Sequence, residues 1–209
     1  MKRFFIALAL AAASFGKIQA QTGIPVYQTL SATGNAAAPS TVYFTAIPNQ
    51  QVRIVSVSYQ ADTNNAGLQI QAGSTAYYQT ATNATSTSVT NGINSTNGLL
   101  AGSTLILDQG GLPYSATLAS YGAWPGTNSL GVVTNAYYIV LGANGWNTAA
   151  NSGSSIYQMS APATVPVGNT TNSLFSNALY AAPPGRPLTV TLTPALQTNR
   201  LNAVSGRYQ

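Results

Sequence analysis

Twice in this chain, apolar and polar residues alternate one by one over a whole segment, and that alternation limits the fold more than any other feature. In Thr41–Ala61, Val42, Phe44 and Ala46 alternate with Tyr43, Thr45 and Ile47. Pro48-Asn49 breaks the run, and Val55, Val57 and Tyr59 then alternate with Ser56, Ser58 and Gln60. Near the end, Leu188, Val190 and Leu192 alternate with Thr189, Thr191 and Thr193. A period of two puts one row of side chains on a core and the other in solvent, which is the signature of a half-buried strand. The first segment therefore reads as two strands around a turn.

Leu68, Ile70 and Ala72 repeat the pattern, and Thr104–Asp108 and Ala136–Leu141 are apolar enough to be central strands. Ser155–Ser160 and Thr164–Val167 are shorter strand candidates. Asn91-Gly92 and Asn97-Gly98 mark turns, since both residue types tolerate positive φ. Gly110–Thr134 reads as a long aromatic loop. Ser173–Ala182 has helical spacing in Leu174, Phe175, Ala178 and Leu179, with Pro183-Pro184-Gly185 as a stop. The expected fold is all-β: a two-sheet antiparallel β-sandwich of jelly-roll or immunoglobulin-like order, with one short helix near 173–182. Residues 41–194 would form the sandwich, 21–40 an N-terminal arm or edge strand, and 195–209 a tail of weak pattern.

The start of the chain reads as an export leader. Met1-Lys2-Arg3 is basic, Phe4–Phe15 is apolar but too short to cross a bilayer comfortably, and Ile18-Gln19-Ala20 offers a cleavage site after residue 20. A secreted or cell-surface protein, with no transmembrane segment once the leader is gone, is the expectation.

Charge then becomes decisive, because only 4% of residues are charged. Without residues 1–20 the cations are Arg53, Arg186, Arg200 and Arg207 and the anions Asp62 and Asp108, so the net charge is 4 − 2 = +2. Four arginines scattered in sequence do not suggest a nucleic-acid footprint. Beyond residue 20 there is no His, Cys, Lys or Glu. Ser–His, Cys–His and Ser–Lys nucleophiles cannot be assembled, nor can histidine or thiolate metal sites. No cofactor is expected, and no enzyme. Asp62 and Asp108 are the one conceivable acid/base pair, and Asp62 with Asn64 a weak calcium candidate.

Two kinds of contact remain. Trp124, Trp146, Tyr114 and Tyr121 are candidates for stacking on the sugar rings of a polysaccharide. Copies of the chain are the other candidate partner, because native sheet edges are normally guarded by charge, above all lysine. Ile24, Val26 and Tyr27, or Leu188, Val190 and Leu192, are the candidate assembly segments. The leading expectation is a secreted, non-enzymatic, self-associating structural or adhesive protein. A carbohydrate-binding module and a small outer-membrane β-barrel are the alternatives.

Overall fold

The computed structural model describes residues 26–74, 78–127, 133–143, 145–176 and 180–209. Residues 1–20, expected to be a leader, lie outside the described residues, as do Ile24 and Asn144. Fourteen strands, and no helix, make three antiparallel sheets among these residues.

Eight strands build two four-stranded sheets. They are β1 (Val26–Thr33), β2 (Ser40–Phe44), β3 (Val52–Ala61), β4 (Gly67–Ala72), β11 (Ala163–Pro166), β12 (Thr170–Ser176), β13 (Leu188–Thr193) and β14 (Arg200–Tyr208). One sheet has the order β1-β14-β3-β12 and the other β11-β4-β13-β2. Each strand in this set lies in the opposite sheet from the one before it, except that β11 stays in the sheet of β4 and pairs with it. The inward rows of both sheets meet in one core, with Phe44, Ile54, Val57, Leu68, Ile70 and Val190 fully buried. Burial in β3 alternates residue by residue except at Val55-Ser56, where the register with β14 shifts.

The segment between β4 and β11 forms the third sheet. It contains β5 (Tyr78–Gln79), β6 (Thr90–Ile93), β7 (Thr104–Gln109), β8 (Leu112–Thr127), β9 (Val133–Leu141) and β10 (Ser155–Gln158), ordered β5-β10-β7-β8-β9-β6. Gly110 and Gly111, at φ 65° and 88°, make the two-residue turn between β7 and β8. Positive φ at both positions matches the right-handed twist of the flanking strands. The long β8 pairs first with β7 and then, past a bulge at Leu118–Ser120, with β9. That bulge bends the sheet back on itself. Its outer strands then touch: Thr80 bridges Ile93, and the Ala81 amide donates to the Gly92 carbonyl at 2.8 Å. The result is nearly a barrel, filled by Tyr78, Leu105, Leu107, Leu118, Ile139 and Trp146.

The near-barrel hangs on the β4–β11 pair, whose ladder continues through the Gly73–Met159 bridge. Tyr43 and Ala46 of the two-sheet body pack there against Ile106, Tyr157 and Met159.

Four sequence expectations change. The helix is not formed: Ser173–Ser176 belong to β12, where Ser173, Leu174 and Phe175 pair with Tyr59, Ser58 and Val57. A ten-residue segment cannot repay helix nucleation by itself, whereas the open side of β3 offers hydrogen bonds at once. Residues 177–179 of that segment lie outside the described residues. The Thr41–Ala61 strands do not pair with each other, since β2 bonds β13 and β3 bonds β12 and β14. Most of the aromatic loop is strand β8, and the weakly patterned tail is β14, in the middle of its sheet.

Candidate functional site

The aromatic residues divide sharply. Trp146 is 1% exposed and sits in the near-barrel's core, where its indole Nε1 meets no acceptor among the described residues. Tyr114 is half-buried against the same core. Trp124 and Tyr121 are both exposed, at 49% and 42%. They sit three apart on β8, so they leave opposite faces of the sheet. Tyr121 pairs with the buried Ile139, while Trp124 pairs with Ala136 on the outer face.

Trp124 has a partner that sequence reading missed. Its ring stacks on Tyr138 of β9, with centroids 4.3 Å apart and planes at 25°. Tyr138 is opposed by Gly122 on β8 and by Gly92 on β6. A Cβ on Gly122 would stand 2.7 Å from the Tyr138 hydroxyl, so glycine is what lets the phenol lie flat there. Beside the pair runs a groove of about 400 Å³ lined by Trp124, Thr82, Thr90, Asn94, Ala136 and Tyr137. The legible signal was the alternation in AYYIVL: Ile139 points inward, so Tyr138 must point out.

The two carboxylates stand apart. Asp108 accepts a hydrogen bond from the Tyr43 hydroxyl at 2.7 Å and one from the Gly111 amide at 2.8 Å, one on each oxygen. It ties the β7–β8 turn to the outer face of β2. Burial, reinforced by the Asp108 carboxylate, pushes the Tyr43 phenol far above its ordinary value of 10.0. Burial likewise raises Tyr78 and Tyr208. Asp62 is exposed on the β3–β4 turn, where the Thr63 hydroxyl accepts from the Asn65 amide and Asp62's own amide donates to Asn199. Asn64, its companion in the calcium candidate, is exposed on the same turn.

A polar cleft of about 750 Å³ opens between near-barrel and two-sheet body, lined by Thr45, Asp108, Asn151, Ser155 and Tyr157. Arg186 lies at its continuation, 5.9 Å from the centre of the Tyr157 ring. Asp62 lines neither part, so the cleft does not bring the two acids together. Among the described residues no three acidic, histidine or cysteine side chains cluster to hold a metal. No described helix is long and apolar enough to cross a membrane.

Of the assembly candidates, Leu188, Val190 and Leu192 are fully buried, and β13 is flanked by β4 and β2 on its two sides. Val26 and Tyr27 open β1, an edge strand eight residues long with no charged side chain. The other edge of that sheet, β12, is also uncharged and carries Leu174 at 70% exposure. No family model, curated protein or solved structure matches this chain.

Proposed function

We propose that this chain is an exported, non-enzymatic protein of the cell exterior whose copies associate through the edges of the β1-β14-β3-β12 sheet. One observation carries the reading. Both edges of this sheet run for seven or eight residues without a single charge. An open edge is a row of unpaired N–H and C=O groups, and natural proteins usually block such edges with lysine, proline or a bulge. In the second sheet, β11 is four residues long and ends in Pro166, so its edge is blunted. β1 keeps only one irregularity, between Leu30 and Ala32, and that faces β14.

The strand orders also fit a jelly-roll sandwich, with every step but β4 to β11 crossing to the other sheet and the last strand returning beside the first. Capsid and lectin domains both use that scaffold, so it suits contact work without naming the partner. A membrane barrel fits less well, because the near-barrel holds its apolar residues inside and not toward lipid.

Electron microscopy and sizing of the protein lacking residues 1–20, over a range of concentrations, test the reading. Filaments, layers or a rising mass are expected. Ser31→Lys with Thr33→Lys, both on the exposed side of β1, should leave monomers. A wild type that stays monomeric at every concentration refutes self-association.

A second reading rests on the Trp124–Tyr138 pair, whose exposed face and Thr/Asn-lined groove suit a pyranose ring. Trp124→Ala should then abolish retention on a neutral polysaccharide at unchanged melting temperature.

A further inference from the structure

Arg53 and Arg207 are direct partners across the β3–β14 pair. Both face outward, since their neighbours Val52, Ile54, Gly206 and Tyr208 are all buried. Opposed side chains in an antiparallel pair have Cβ atoms roughly 4.5–5.5 Å apart, and like charges there repel. Neither of the chain's two acidic side chains, Asp62 or Asp108, offsets that repulsion. The Nε atoms of both arginines are shut off from solvent and meet no acceptor among the described residues. Asp108 is held by Tyr43 and Gly111 in the junction, and Asp62 sits on the β3–β4 turn, beyond the other end of β3. Two of the four arginines beyond residue 20 are thus opposed at one spot with neither Asp side chain beside them. Sequence spacing hid this, because 154 residues separate the two and register alone joins them.

We propose that Arg53 and Arg207 form an oxyanion clamp, and that its ligand is the carboxylate of a uronate-bearing polysaccharide. Two guanidinium groups side by side present forked donors that match a two-oxygen anion. The same outward row continues onto Tyr27 of β1, which pairs with Arg207 and is 61% exposed. The next outward row is hydroxyl-bearing: Thr29, Ser205 and Ser56, with Thr29 and Ser205 hydrogen-bonded at 3.0 Å. A phenol face for a ring, two guanidinium groups for an acid and hydroxyls alongside make the surface expected for an acidic sugar. Nucleic acid would call for a longer run of cations along a backbone. The two arginines lie on the inner strands β3 and β14, away from the Trp124 groove, and only Tyr27 belongs to the edge strand β1, so substituting the arginines tests the clamp without altering either edge.

The test uses the protein lacking residues 1–20, in affinity electrophoresis and calorimetry against polygalacturonate, with dextran as the neutral control. The wild type should bind polygalacturonate and not dextran. Arg53→Gln or Arg207→Gln should each weaken binding roughly tenfold or more, as expected for losing a charge-assisted contact. The double Gln variant should lose binding altogether. Arg53→Lys with Arg207→Lys keeps the charge but not the fork, and should bind between wild type and the double Gln variant. Polymer should raise the melting temperature of the wild type and not that of the double Gln variant. Without polymer the double Gln variant should melt no lower than wild type, because a repulsion has been removed. Equal binding by wild type and the folded double variant overturns the clamp. So does wild-type binding to dextran as strong as to polygalacturonate. Arginine-dependent binding of single-stranded DNA or anionic vesicles, with none of polygalacturonate, overturns the ligand class.

Discussion

The near-barrel and the two-sheet body use the same uncharged side chains, yet they treat their outer strands differently. In the near-barrel, β5 and β6 are brought together by the Thr80–Ile93 bridge, and the Asn94 amide donates to the Gln79 carbonyl at 3.1 Å. Its edges are spent on each other. In the two-sheet body, no described strand pairs with the outer side of β1 or β12. A chain with almost no charge can protect a sheet edge only by geometry, and geometry protects one sheet here and not the other. The contrast also extends to how each part is assembled. The near-barrel is one contiguous insertion built around the β7–β8 turn, while the body joins β1 to β14 and β2 to β13 from opposite ends of the chain.

Core truncations should separate the two regions most strongly. Phe44→Ala should cost about 3–5 kcal/mol and Leu107→Ala about 2–5 kcal/mol, because each empties a fully buried site. Hydrogen exchange should show Leu107→Ala exposing β7–β10 before β3 and β13. Equal loss in both regions would mean that they unfold as one unit. Trp146 sharpens the point within the near-barrel: Trp146→Ala should cost about 3–5 kcal/mol. Trp146→Phe should cost much less, since the indole N–H meets no acceptor among the described residues.

The junction comes next. Asp108→Asn should cost about 1–3 kcal/mol, by weakening the bonds from Tyr43 and Gly111. Tyr43 also sets a pH signature. Below pH 10 its phenol is neutral in folded and unfolded chains alike, and its contribution is whole. Above pH 10 the unfolded chain gives up that proton while Tyr43 keeps it, so stability falls as pH climbs. Tyr78 and Tyr208 act in the same direction. Urea melts from pH 8 to 11 should show this decline, and Tyr43→Phe should make it shallower. The smallest effect on stability is expected at the open edge. Ser31→Lys should shift unfolding by no more than about 0.5 kcal/mol while removing association.

What could be read from sequence was local. Alternation located β3, β4 and β13, because one buried face per strand is a period-two signal that needs no partner, and short apolar runs located β7 and β9. It did not reveal which strands pair, so the Thr41–Ala61 segment looked like a hairpin although its halves belong to opposite sheets. β14 was obscured by two register shifts, after Leu201 and after Ser205, that break its alternation. The helical spacing in Ser173–Ala182 was real but weaker than the pull of an open β3. The exposed tryptophan was in view, while its Tyr138 partner and the Arg53–Arg207 opposition needed the register.

Hydrogen exchange of the protein lacking residues 1–20, measured as a function of concentration, bears most directly on the edge contrast. Amides on the outer side of β1 should gain protection as concentration rises, while those of β7 and β8 stay constant. Protection of β1 that does not change with concentration, or that rises equally across the near-barrel, would contradict the account.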